Sequence, residues 1–177
     1  SDLIIDCGTN VGELNYSFYY KNISINYIGF EPDKDTYNCL KINKIRESDK
    51  VNNFALSNKN GEADLYVDGF GGNSSLEYFG DDKSIIIQTK TLDSLKIETP
   101  IKLFKVEAEG HEPEVLDGSL NTLKNIEYIA VDFGFERGLN QENTINSVNN
   151  ILTKNNFELK NISEFRLVGL YKNLKLT

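Results

Sequence analysis

The apolar run LIID (3–6) passes without a break into CGTNVG (7–12). A short unbroken apolar run that ends in a glycine turn reads as a fully buried strand. Strands of that kind belong to parallel sheets, and parallel neighbours need a long crossover, usually a helix, between them. This one junction therefore points to an α/β fold before any other residue is considered.

The rest of the chain repeats the pattern. GELNYSFYYKN places Leu14, Phe18 and Tyr19 on one helical face. NYIGF (26–30) is a second strand, closed by Glu31-Pro32. DKDTYNCLKINKIRES starts acidic and turns basic, as the helix dipole favours, with Tyr37 and Leu40 on its inner face. VNNFALS (51–57) is a third strand. Asn60-Gly61 then predicts a hairpin to EADLYV, because a type I′ turn needs φ > 0 at both central positions. DGFGGNSSLEYFGDD (68–82) reads as a loop, either a connector or a lid. SIIIQTKTL returns to strand, and IKLFKV (101–106) and IEYIAVDFG (126–134) are two further main strands. Between these two, Pro113 suits the first turn of a helix. NQENTINSVNNILTKNN predicts a helix with Ile145, Val148 and Leu152 inward and Asn140 as N-cap. FELKNI and FRLVGLYKN are too close in sequence for a crossover helix and should pair antiparallel at one edge. No repeat or linker divides the chain, so residues 1–177 are expected to form a single domain with a mostly parallel sheet and helices on both faces.

Composition narrows the partners. The 177 residues carry 27 Asp+Glu against 19 Lys+Arg, a net charge of −8 and a pI near 4.8. An acidic surface repels phosphate backbones, so no nucleic-acid partner is expected. Cys7 and Cys39 have no metal-type spacing and are expected reduced and buried. No run reaches transmembrane length and no signal peptide leads the chain, so the expectation is a cytoplasmic protein without membrane insertion. The N-x-S/T triplets at Asn22, Asn73 and Asn161 read as chance in an Asn-rich chain.

In an open parallel sheet, ligands bind beyond the carboxyl ends of the strands, where the strand order reverses. Asp6, Gly8, Asn10 and Gly12 sit at such an end. Nineteen residues after Gly12 comes Glu31, at the end of the second strand. A carboxylate there can accept both hydroxyls of a ribose. A dinucleotide turn would read G-x-G-x-x-G; here Asn10 stands where the second glycine belongs and would crowd a pyrophosphate. Asp6 adds negative charge, which suits a sulfonium better than a phosphate. The turn and the acid together point to S-adenosylmethionine. A turn that binds nothing would leave Glu31 unexplained.

These residues resemble the FkbM-type S-adenosylmethionine-dependent methyltransferases. LIIDCGTNVGELNYSF resembles the family's D-x-G-A-N-x-G opening motif, and YIGFEPDKDTYNCL its second motif, apolar-E-P. NFALSNKNGEADLYV resembles its N-x-A-L-S segment, and GGNSSL its glycine-serine loop. TLDSL with KVEAEGHEPEVLDG resembles its T-L-D-x-L and K-I-D-V-E-G-x-E-x-x-V-L-x-G pair. The resemblance runs from residue 3 to about residue 134. It implies a Rossmann-like class I methyltransferase fold: a seven-stranded sheet with an antiparallel C-terminal hairpin, plus an extra β-hairpin after the third strand. It also implies that Gly8, Asn10 and Gly12 line the methionine part of the cofactor, that Asp6 orients it, and that Glu31 holds the ribose. Pro32 would lie near the adenine, which Asn53, Phe54 and Ala55 would flank. Two departures stand out. Glu107 replaces the family's usual aspartate, and His111 replaces its usual alanine.

The stretch FKVEAEGHEPEVL (104–116) surrounds the only histidine with four glutamates. If strand geometry continues briefly, Glu107, Glu109 and His111 point to one side. Methyl transfer is an in-line displacement at carbon, and its acceptor must lose a proton. Glu107 is expected to orient cofactor or acceptor, and Glu109 or His111 to take the proton. Glu112 and Glu114 are assigned to the positive helix start. HEPEV is not H-E-x-x-H and no second histidine exists, so no metal is expected. The leading reading is a methyltransferase acting on a hydroxyl of a small-molecule or saccharide acceptor. An NAD-binding oxidoreductase and a non-catalytic S-adenosylmethionine-binding domain are the competing readings.

Overall fold

The computed structural model describes residues 1–67, 74–80, 83–163 and 165–176. Of the loop expected over 68–82, residues 68–73 and 81–82 lie outside the described residues, and so does Asn73.

Twelve strands and four α-helices are assigned among the described residues. In chain order they are β1 (Asp2–Cys7), α1 (Glu13–Tyr20), β2 (Ile25–Phe30), α2 (Lys34–Ile42), β3 (Lys50–Asn52), β4 (Ala55–Leu56), β5 (Gly61–Tyr66), β6 (Ser84–Lys90), β7 (Ile101–Val106), α3 (Glu112–Asp117), β8 (Ile126–Asp132), β9 (Phe135–Arg137), β10 (Glu142–Asn143), α4 (Ile145–Lys154), β11 (Phe157–Ile162) and β12 (Val168–Asn173). Seven strands form the main sheet in the order β11-β12-β8-β7-β1-β2-β3. β1, β2, β3, β7 and β8 run parallel, while β12 is antiparallel to both β8 and β11. The fold is therefore the expected Rossmann-like class I methyltransferase architecture with an antiparallel C-terminal pair.

Strand alternation feeds two layers. On β1, Ile4 faces one side with Ile25 and Tyr27 of β2, where Leu14 and Phe18 of α1 pack. Leu3, Ile5 and Cys7 face the other side with Phe104 and Val106 of β7, where α3 and α4 deliver Val115, Leu116, Val148 and Leu152. Tyr19, expected on the inner face of α1, is instead 56% exposed.

Three local expectations differ. VNNFALS is not one strand: β3 stays in the main sheet, while β4 leaves for a second sheet of order β4-β6-β5. β5 pairs antiparallel with β6, and β4 pairs parallel with β6, so the Asn60-Gly61 turn joins two strands that are not neighbours. Asn140 does not cap α4. Thr144 holds that position, and its hydroxyl donates to Glu112 at 3.2 Å rather than accepting from its own helix. Cys7 is buried as expected, but Cys39 is exposed; both are free thiols. No helix among the described residues is long and apolar enough to cross a membrane.

Candidate functional site

The chain leaves β1 toward β2 and β3, then returns to place β7 on the other side of β1. The strand order reverses between β1 and β7, and at that point the turn after β1 meets the turn after β7. Gly8, at φ +72, touches the second turn: a Cβ there would lie 2.0 Å from the Glu107 carbonyl oxygen. The contact tolerates no side chain. A cleft of about 570 Å³ opens above it.

The turn after β1 is joined to β2 twice over. The amides of Gly8 and Thr9 both donate to the Phe30 carbonyl at 3.1 Å. Asn10, left-handed at φ 49, donates its amide to Glu31 Oε2 at 3.0 Å, and Asp33 donates its amide to Glu31 Oε1 at 3.0 Å. Burial pushes the Glu31 carboxyl up to about 7, with the two amides offsetting part of the effect.

Asp6, Gly8, Asn10, Glu31, Pro32 and Ala55 line the cleft. Gly12, Asn53 and Phe54 stand behind it. Gly12 starts α1 at φ +100 and faces Leu40. Asn53 donates its side-chain amide to the carbonyls of Glu31 and Pro32, each at 2.9 Å, so it holds the turn after β2 from outside. The Phe54 ring packs on Phe30 at 5.2 Å, and Lys90 Nζ lies over the Phe54 ring at 4.7 Å.

The floor contains a residue that the sequence pattern did not single out. Lys105 Nζ lies 3.1 Å from Asp6 Oδ1 and 2.9 Å from Glu107 Oε2, and donates to the Gly8 carbonyl at 2.6 Å. Burial would lower this ammonium, but Asp6 and Glu107 hold it above its ordinary value. Tyr27, 1% exposed, donates to Asp6 Oδ2 at 2.6 Å. Burial raises the Asp6 carboxyl, with Lys105 and Tyr27 opposing. A lysine inside the buried run IKLFKV was the available signal, because a buried ammonium requires partners. Glu107 also accepts from Arg166 Nη2 at 2.5 Å, and the same nitrogen reaches Asp132 Oδ2 at 3.2 Å. Burial alone would raise the Glu107 carboxyl; Lys105 and then Arg166 hold it below the usual range.

Glu109 is built differently. Its backbone is left-handed at φ 49, followed by Gly110 at φ +92. A non-glycine residue keeps such a conformation only when its surroundings over-determine it. Here four hydrogen bonds do so. Glu112 Oε1 accepts from the amides of Ala108 at 2.9 Å and Gly110 at 3.1 Å. Ser75 Oγ donates to the Glu109 carbonyl at 2.6 Å, and Arg137 Nη1 to the Gly110 carbonyl at 2.6 Å. Glu112, only 1% exposed, thus reaches back to hold the turn rather than serving the helix start. The Glu109 side chain lines the cleft. Burial, then the charges of Glu136 and Glu107, push its carboxyl up to about 8. Burial and Asp132 push Glu136 up to about 7.

His111 also borders the cleft, but both ring nitrogens are engaged. Nδ1 lies 2.8 Å from Glu77 Oε1, and Nε2 lies 2.9 Å from Ser57 Oγ. A carboxylate only accepts, so Nδ1 carries a proton, and Nε2 is hydrogen-bonded to the Ser57 hydroxyl. Glu114 pairs with Arg137 through both oxygens, at 2.7 and 2.8 Å. Against its burial, Arg137 and His111 hold it below the usual range. Glu77, His111 and Glu114 bring metal-type donors together. Arg137 already donates to Glu114 and lies 3.7 Å from Glu77, so a fixed positive charge stands beside both carboxylates.

A family profile described as the methyltransferase FkbM domain matches residues 6–159. The hexuronic acid methyltransferase AglP of Haloferax volcanii is 28% identical over 137 residues, which cover 74% of this chain and 55% of that protein. The chain thus spans about half the length of this curated relative. Among solved structures, a protein in the NADB-Rossmann superfamily from Streptococcus agalactiae superposes with a TM-score of 0.59 at 11% identity, over 97% of this chain and 62% of that one. TrmK of M. capricolum, solved with S-adenosylhomocysteine, superposes with a TM-score of 0.51 at 10% identity, over 98% of this chain and 62% of that one. At these identities the structural likeness is one of fold.

Proposed function

The chain belongs to the methyltransferase FkbM family, and on that premise we propose that it transfers a methyl group from S-adenosylmethionine to a hydroxyl of a saccharide or other small-molecule acceptor. One observation carries the reading. The Gly8–Asn10 turn, the buried Glu31 carboxylate and the Glu107–Glu109 turn line a single cleft at the point where strand order reverses.

The donor set fits this cofactor. Each Glu31 oxygen accepts one backbone amide and keeps a lone pair for a ribose hydroxyl. Pro32 and Ala55 give the apolar border an adenine needs. Lys105 is neutralised by Asp6 and Glu107, which leaves it no charge to offer a pyrophosphate. A dinucleotide therefore fits less well than a sulfonium.

When bound, S-adenosylmethionine supplies an electrophilic methyl carbon on a positively charged sulfur. The chain's own residues do the rest. Glu107, held ionised by Lys105 and Arg166, orients cofactor and acceptor. Glu109 is the stronger base candidate: its carboxyl is raised, it lines the cleft, and its backbone is fixed. A positioned base of this kind contributes about 10²–10⁴-fold, and alignment of the acceptor adds to it. His111 is a positioning residue, since neither ring nitrogen is free.

Calorimetric titration with S-adenosylhomocysteine tests the cofactor site. The wild type should bind, and Glu31→Ala should lose about tenfold or more in affinity, the scale of a lost hydrogen bond to a charged group. Absence of binding to the wild type, or equal binding to both, would refute the reading.

A further inference from the structure

We infer that the acceptor carries no carboxylate beside the hydroxyl that is methylated, and that this site is selective against uronic acids, in contrast to the acceptor named for the Haloferax relative. The inference rests on the proposed methyl transfer and concerns the acceptor half of the same cleft.

The reason lies in how the charges there are already used. Among the described residues that line the cleft, the permanent cations are Lys105 and Arg166. Lys105 is held between Asp6 and Glu107 and against the Gly8 carbonyl. Arg166 shares one nitrogen between Glu107 and Asp132. The guanidinium is thereby already balanced by two carboxylates, and an arriving third would find no net positive charge there. Arg137, the next cation along, is committed to Glu114 through both of its oxygens. The residues outside the described stretches include no Lys or Arg.

Carboxylates meanwhile converge on the acceptor side. Glu109 and Glu107 border the cleft, and Glu136 and Asp132 lie close enough to raise the Glu109 carboxyl. With Glu109 ionised, as it must be to accept a proton, one more negative charge would meet the same repulsion, and among the described residues the cations lining the cleft are already balanced. Like charges brought together in a partly desolvated site discriminate strongly between ligands. A neutral hydroxyl meets none of this cost, and Glu109 is available to accept its proton.

The experiment uses matched methyl glycosides that differ only at C6, as CH2OH or carboxylate, in the gluco, galacto and manno series. Binding is measured by calorimetry at a pH above the raised Glu109 value of about 8, to the protein saturated with S-adenosylhomocysteine, after the binding of S-adenosylhomocysteine itself is recorded. In at least one pair the neutral sugar should bind about tenfold or more tightly than its acid. Asp132→Asn, which removes one competitor for Arg166 and can keep the Gly134 contact through its amide oxygen, should narrow that gap several-fold. Acids that bind as well as their neutral partners overturn the inference, as does a panel with no binder while S-adenosylhomocysteine binds. Failure to bind S-adenosylhomocysteine is a separate result and removes the proposed function together with the inference.

Discussion

Gly8 and Gly138 both sit at positive φ, and the contrast between them isolates what the site demands. A Cβ at Gly138 would meet nothing within 4 Å, so Gly138→Ala should cost only the left-handed strain of about 1–2 kcal/mol. Gly8→Ala adds a collision with the Glu107 carbonyl at 2.0 Å, and the two turns of the site must part. A further loss of about 1–3 kcal/mol is expected, together with loss of S-adenosylhomocysteine binding. Denaturant midpoints and calorimetry check both. Glu109→Gln should lower methyl transfer by about 10²-fold or more while S-adenosylhomocysteine affinity stays within about twofold of the wild type. His111→Gln should act chiefly on stability, because it cuts the links to Ser57 and Glu77 without removing the base. Initial rates with labelled S-adenosylmethionine separate the two; a larger rate loss in the histidine variant would reverse the assignment. Glu31 and Glu109 are legible in sequence because each is an acid placed just beyond an apolar run. Lys105 shows only as a lysine within a buried run, and Tyr27, Ser75 and Glu77 are not legible, because their meaning comes from partners far along the chain. Tyr27, for instance, acts on Asp6, twenty-one residues away.

At the scale of elements, legibility follows burial. β1, β2, β7 and β8 are central strands, and their apolar runs can be read directly. The terminal pair is legible from spacing alone. VNNFALS is not, since its apolar pattern survives although β3 and β4 enter different sheets. The pattern records that a residue is buried, not against which sheet. β9 and β10 are three and two residues long, their single apolar side chain, Phe135, is 59% exposed, and they give no periodic signal. What fixes β9 is Arg137, whose guanidinium grips Glu114 of α3 and the Gly110 carbonyl. Arg137→Ala should therefore destabilise the chain by about 2 kcal/mol, the scale of a half-buried, charge-assisted contact. Amide exchange should accelerate first across residues 135–143, before the main sheet opens. Uniform acceleration over the whole chain would mean that the pair supports global stability and not this hairpin.

Across the whole molecule, the buried acids set a pH dependence with a definite sign. The folded values of Glu31, Glu109 and Glu136 rise to about 7, 8 and 7, above the ordinary 4.5 of the unfolded chain. Between about pH 4.5 and 8 the folded state therefore binds more protons than the unfolded one, and stability falls as pH rises. Glu107, Glu114 and Asp93 are shifted the other way, so their contribution is present above the unfolded value and is lost as pH drops below it. The ligand-free protein should be most stable near pH 5, with a decline toward pH 8 that the net charge of −8 reinforces. In a Glu109→Gln, Glu136→Gln double variant the decline should flatten, and thermal melts across the range measure both slopes. The same acids predict a difference between two ligands of nearly equal shape. S-adenosylmethionine carries the sulfonium charge and S-adenosylhomocysteine does not. As Glu109 and Glu136 ionise between about pH 6 and 8, affinity for the charged ligand should rise relative to the neutral one. The ratio cancels everything the two ligands share, the Glu31 contacts included. A ratio that stays flat over this range would place the sulfonium away from the Glu107–Glu109 turn, and the assignment of Glu109 as base would fall with it.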